Sequence, residues 1–393
     1  MKNKRIAIFI MFLIIFLPLH GYGDEIKSKD ENIGFIIEQF ESLNLKELEE
    51  TIVDLENESF RYFPKITLKE FISSIIKGER TIDSFDILQG IGKLFFNEAI
   101  ENLSLLIQIL AITIMCAVLT NLQTSFEKDS VGELAYYICY ILITTIVIKS
   151  FATIMVLGQS TVDKMVNFME IILPILLTLL VAVGGTITNA IFHPMVLGTV
   201  NIIGILIKDI IFPLIFFSFI VGIISRISEK VQFTKLSELM RQIVVTILGV
   251  SLTVFIGIMS VYGVASKVDG ITARTAKFAV DKFIPVVGKF LSDAMDTVVG
   301  CSLILKNAVG GIGLFALFLI CVFPTIQIVA LIFIYKVLIV LIEPISTMRI
   351  GDSLNEVSKS LVLILVSIIS VSMMFFITIT IIVEAGNISM MLR

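Results

Sequence analysis

Three lysines stand inside long apolar runs: Lys149 in "TTIVIKSFATIM", Lys306 beside Asn307 in "LILKNAVGG", and Lys336 in "FIYKVLI". Ionisable groups are rare in such runs. By default they mark an ion or substrate pathway or a contact with a partner; the ordinary alternative is a long stem that carries its ammonium out to the interface. Lys306 is the strongest of the three. It lies near the middle of its run, and Gly310, Gly311 and Gly313 follow it, which would let another helix approach closely. Gly184 and Gly185 in "VGGT" invite the same packing.

Asp209 follows Lys208 in "IKDI", a charge pair that interrupts a mostly apolar stretch. Such a pair at mid-bilayer is costly unless sheltered, so the sequence predicts a tight hairpin turn there. Farther on, Arg274, Lys277 and Asp281 form a polar stripe opposite Ala276, Ala279, Val280 and Phe283. After a break at Pro285 and Gly288, a second stripe of Lys289, Asp293 and Asp296 begins. The spacing predicts two amphipathic helices over 266–297, able to lie in an interface, line a wet cavity or pack on partner subunits. An acid followed four residues later by proline occurs at Glu170/Pro174, Asp209/Pro213 and Asp281/Pro285. Proline fits a first helical turn and an acid suits its positive end, so helix-start chemistry is the plain reading of that pattern.

Catalytic constellations are not written here. There is no GxxxxGK[ST], no GxSxG and no HExxH, and no Ser-His set or paired carboxylates stand in facing spans. Cys116, Cys139, Cys301 and Cys321 all fall within apolar runs without CxxC spacing, and His193 stands alone in "IFHPM". The sequence predicts no enzyme, no metal and no cofactor. No basic patch for nucleic acid is present.

The elements that must hold these groups are membrane helices. Of 393 residues, 56% are hydrophobic and only 16% charged, against about 25% charged in soluble domains. Residues 1–23 have a basic head, a short apolar core and small residues near Gly21 and Gly23, which reads as a signal peptide, cleaved or retained as an anchor. Residues 24–101 carry 18 acids against 9 bases and repeat a helix-capping device at Asn44/Glu47 and Thr67/Glu70. They predict a small acidic extracytoplasmic helical head. The remainder divides into a first group of membrane helices over 102–265, the amphipathic segment 266–297, and a C-terminal group over 298–393. At most nine spans are expected, near 102–122, 134–157, 169–187, 190–207, 209–225, 242–265, 298–320, 325–343 and 361–383.

The positive-inside rule orients this all-α, polytopic arrangement. With the head outside, 225–241 and its Arg226, Lys230, Lys235 and Arg241 fall in the cytoplasm, as the rule asks. The same count puts 266–297 and its five bases outside, against the rule. It also gathers Glu170, Asp209 and Asp281 on the extracytoplasmic side.

The stretches "ENLSLLIQILAITIMCAVLTNLQTSFEKDSV", "LPILLTLLVAVGGTITNAIFHP", "VDGITARTAKFAVDKFIPVVGKFLSDAMDTVVGCSLILKNAVGGIGLF" and "EPISTMRIGDSLNEVSKSL" together resemble the stage III sporulation protein AE family of endospore-forming bacteria. The resemblance covers nearly the whole chain and is most specific from Asp269 to Gly313. It implies a membrane subunit of a secretion-like channel joining mother cell and forespore, located in the mother-cell membrane around the engulfed forespore. The partners it implies are membrane lipid and the other stage III A proteins: an ATPase, ring-forming subunits and small polytopic subunits. A forespore-membrane protein would stand opposite. No catalytic residues carry over. The competing expectation is a self-sufficient secondary transporter or permease, supported by proline-interrupted spans and buried lysines.

Overall fold

The computed structural model describes residues 84–124, 129–226, 233–283, 287–345 and 348–391, and among them every regular element is helical. Long apolar segments leave no water to satisfy backbone groups, and a helix satisfies them within the segment. In chain order the helices are α1 (Ser84–Glu101), α2 (Leu103–Thr124), α3 (Asp129–Ala182), α4 (Thr186–Ile205), α5 (Phe212–Ile224), α6 (Thr234–Phe283), α7 (Val287–Ile342) and α8 (Met348–Met391). Among the described residues, six stretches are long and apolar enough to cross a membrane: Gln89–Leu119, Tyr137–Ala182, His193–Ile224, Thr234–Tyr262, Asp296–Ile342 and Arg349–Ala385. The expected signal peptide and most of the acidic head lie outside the described residues.

Fewer, longer helices replace several of the expected spans. The predicted pair 134–157 and 169–187 is one helix, α3, with Pro174 in its interior; 298–320 and 325–343 are likewise one helix, α7, which absorbs Pro324. Their apolar parts run 46 and 47 residues, about 70 Å at 1.5 Å per residue, more than twice a hydrocarbon core of about 30 Å. Proline is tolerated in such helices because neighbouring groups re-satisfy the freed backbone.

The hairpin expected at Lys208 and Asp209 is not formed. The chain stays helical from α4 to α5 through a π-helical turn, Leu206–Ile211, in which the Phe212 N–H reaches back five residues to the Ile207 carbonyl. Pro213 supplies the reason. It has no N–H to offer the Asp209 carbonyl and its ring would crowd that oxygen, so the turn before it widens. Asp209 therefore sits within a continuous helix and Pro174 deep inside another, rather than at the starts of spans.

Gly184 and Gly185 serve as a stop for α3. Gly184 has φ of 101°, its N–H bonds the Val181 carbonyl at 2.9 Å, and the Gly185 N–H bonds Leu180 O at 2.9 Å. These two bonds around a left-handed residue form a Schellman turn, which glycine enters without the Cβ penalty. A Cβ at Gly185 would also come within 2.7 Å of Leu180 Cγ. The pair ends a helix; the close helix approach expected of it occurs elsewhere.

The expected amphipathic unit 266–297 is divided. Its first part continues α6 as far as Phe283 and its last part opens α7. Arg274, Lys277 and Asp281 lie on that extension of α6, their side chains outside the described set. Pro285 falls outside the described residues altogether.

Helices α3, α7 and α8 form the centre, with α5 packed against α6 and α8, and α1 and α2 on one flank. The core is mostly apolar, with a few buried hydroxyl and charged side chains. Phe151 of α3 stacks on Phe219 of α5 with ring centroids 3.8 Å apart, and Phe168, Ile211, Phe212, Leu317, Ile364 and Phe375 are wholly buried. The α1–α2 junction at Asn102 keeps its helical N–H bond to Glu98 O, and the Asn102 side-chain amide donates to the same carbonyl at 2.8 Å.

Candidate functional site: charged and polar groups within the bundle

Lys306 is fully buried, and its Nζ donates to the backbone carbonyl of Val383 on α8 at 2.8 Å. The glycines that follow make this possible. A Cβ on Gly310 would lie 2.2 Å from Val383 Cγ2, and one on Gly313 would lie 2.0 Å from Ile172 Cδ1 of α3. Both glycines thus admit neighbouring helices into space that a side chain would occupy. Gly311 is only partly buried. Beside Lys306, Asn307 Oδ1 is buried with no hydrogen-bond partner among the described residues. The amine and the amide oxygen are thus carried by successive residues of α7, each with less hydrogen bonding than its chemistry allows.

The other candidate lysines are differently placed. Lys336 is exposed and donates to Asn355 Oδ1 at 3.1 Å, tying α7 to α8. Lys149 is exposed on the outer face of α3. Asp209 is exposed on the π turn, where its neighbour Lys208, not Asp209 itself, makes the inter-helix contact: Lys208 Nζ lies 2.9 Å from both carboxylate oxygens of Asp163 on α3. The structure does not bring these groups to Lys306 to form one site.

A second polar assembly was not foreseen from the sequence. Glu356 on α8 is buried, and its carboxylate receives Arg241 Nη2 from α6 and Lys359 Nζ at 3.1 Å, with Arg226 Nη2 from the end of α5 at 3.7 Å. Arg226 Nη1 also bonds Asp352 Oδ2 at 2.8 Å. Gly222 faces this carboxylate; a Cβ there would sit 3.1 Å from Glu356 Oε2 and from Ser237 Oγ. Around the cluster, Ser218 and Ser237 exchange hydroxyl-to-carbonyl bonds at 3.0 and 2.9 Å, and Tyr140 Oη stands 2.7 Å from Ser353 Oγ and 3.2 Å from Ile223 O. Four helices are thereby fastened at one end. The available signal was the spacing of Asp352, Glu356 and Lys359, one helical face at the mouth of an apolar run, with Arg226 and Arg241 waiting in the basic segment.

Among the described residues, no three His, Cys, Asp or Glu side chains gather as a metal site. The four cysteines are buried and unbridged.

Continuous apolar helices, an ion cluster at one end and sparse polar groups inside define a polytopic α-helical membrane protein. Sequence comparison narrows that class. The family model for Stage III sporulation protein AE matches residues 66–386, and Stage III sporulation protein AE of Bacillus subtilis (strain 168) is 38% identical over 330 residues, 84% of this chain and 82% of the relative. The chain belongs to the stage III sporulation protein AE family. No solved structure matches it.

Proposed function

We propose that this protein is a non-enzymatic integral membrane subunit of a secretion-like channel between mother cell and forespore, required for endospore development after engulfment. Family membership over 66–386 carries the reading. The fold is compatible with it: a helical bundle fastened by ion pairs at one end and holding a buried amine suits a fixed membrane component. It would reside in the mother-cell membrane around the forespore, with its head extracytoplasmic, and would assemble with other stage III A proteins, namely an ATPase, ring-forming subunits and small polytopic subunits. A forespore-membrane protein would complete the path.

Deletion of the gene tests the developmental role and affinity purification from sporulating cells tests the assembly. Development arrested after engulfment, together with co-elution of the other stage III A proteins, is the expected result. Normal sporulation of the deletion strain would refute the reading. The buried Lys306 favours one other function, a self-sufficient permease. Solute flux by the purified chain alone in liposomes would decide for that alternative.

A further inference from the structure

Among the described helices of 20 residues or more, α3 alone has no charge-free run long enough to cross a bilayer. A crossing takes about 20 helical residues. Charge-free stretches of that length occur in α2 (Leu103–Thr124), in α4 (Thr186–Ile205), in α6 after Arg241, in α7 after Lys306 and in α8 after Lys359. In α3 the charges Lys149, Lys164 and Glu170 are spaced so that any window of about 20 residues within Tyr137–Ala182 contains at least one of them. Every choice of membrane depth leaves at least one of them in the hydrocarbon layer.

All three are exposed, and they share a face. Lys149, Thr153, Ser160, Lys164, Asn167 and Glu170 recur at spacings of three, four and seven residues, which places them along one side of the helix, and each is exposed. The Thr153 and Ser160 hydroxyls turn back to helix carbonyls, so the charges and the amide are what demand a polar surrounding. The ion pair Lys208–Asp163 stands beside this face, each partner nearly half exposed. The outward side of α6 is of another kind: Val245, Val250, Val254, Ile256 and Val261 are exposed there with no charge among them from Gln242 to Tyr262.

We propose that the polar face of α3 fronts water through the thickness of the membrane and forms one wall of a path for hydrated polar solutes, whereas the exposed face of α6 meets lipid. This inference stands apart from the proposed developmental role, because it holds equally for a channel subunit and for a permease.

The full-length protein in membranes from sporulating cells provides the test. Single cysteines at Lys149, Ser160 and Asn167 are compared with Val250→Cys and Val254→Cys, using a charged, water-soluble maleimide; the four native cysteines are buried. Thiolate, the reacting species, forms in water and is suppressed in hydrocarbon, so the α3 positions are expected to react at least about tenfold faster. Equal protection on both helices overturns the proposal, as does labelling at Asn167 without labelling at Lys149. A second measurement avoids the reagent: Val156→Lys and Val254→Lys add one charge at valines of similar exposure, 64% and 56%. Val156→Lys should leave protein abundance unchanged and Val254→Lys should lower it severalfold. Equal loss for the two would mean that α3 faces lipid, and tolerance of Val156→Lys with α3 cysteines protected would mean that another protein covers the face; either result overturns the water-facing assignment.

Discussion

Arg241 of α6 and Glu356 of α8, 115 residues apart in sequence, form an ion pair in which the carboxylate side chain is only 4% exposed. The pair is joined by Arg226 and Lys359, so that two guanidinium groups and an ammonium surround one buried carboxylate. Burial of charge is costly unless hydrogen bonds repay it, and here the donors come from three helices. The cluster therefore sets which helix ends may meet as well as holding them together.

Removal of the carboxylate should be severe. Glu356→Ala leaves Arg241, itself mostly buried, without its anion, a change that costs about 3–5 kcal/mol when a buried pair is broken from one side. The expected outcome is loss of most folded protein in detergent, read as a lowered midpoint in a thermal-aggregation assay. The double change Arg241→Met, Glu356→Met should recover a large part of that loss, because a well-packed apolar pair replaces the ions without stranding either one.

Gly313 and Ile172 supply a second, more local test. Gly313→Ala places a Cβ against Ile172 Cδ1, and overpacking of this kind costs about 1–3 kcal/mol. Ile172→Val removes the crowding atom. In a double-mutant cycle the pair should be more stable than the sum of the single changes predicts, by an amount on the order of 1 kcal/mol. Strict additivity in the thermal midpoint would show that α7 and α3 do not meet through this glycine.

These two contacts illustrate what was and was not legible in the chain. The all-helical membrane fold follows from local hydrophobic pattern, which operates within one segment. The number of helices did not. Glu170 and Pro174 read as a helix start because proline suits a first turn, and spans were expected to part between 157 and 169 and between 320 and 325, yet both helices run through with Pro174 and Pro324 in their interiors. The charge pair at Lys208 read as a turn because its partner, Asp163, lies 45 residues away on another helix, and pairing at that distance leaves no mark in local spacing. Glu356 was missed for the same reason.

Lys306 separates stability from function. Lys306→Met keeps most of the stem's volume and removes both the hydrogen bond to Val383 and a buried charge, so the two effects on stability oppose each other. Protein abundance should stay within about twofold of the parent, a free-energy change below roughly 0.5 kcal/mol. If the amine serves a pathway or a partner, heat-resistant spore counts should nevertheless fall at least about tenfold, a change that would correspond to about 1.4 kcal/mol were it an equilibrium effect. Wild-type spore counts at wild-type abundance would assign Lys306 to packing alone.

The last test concerns the π turn. Lys208 and Asp163 are 45% and 44% exposed, and an exposed ion pair contributes about 0–1 kcal/mol in water. Asp163→Asn should therefore change the thermal midpoint little. Deleting Ile210 is different: it removes the extra residue that the widened turn accommodates and returns the Pro213 ring against the carbonyl four positions before it, a clash that costs about 3 kcal/mol in a helix interior. Phe212, Ile215 and Phe219, all fully buried, would keep their phase on α5, so the strain falls on the turn itself. The deletion should lower accumulation of folded protein severalfold while Asp163→Asn accumulates normally. Comparable accumulation of the two variants, measured by fluorescence-detected size exclusion of tagged full-length protein, would show that the π turn does not relieve a proline clash.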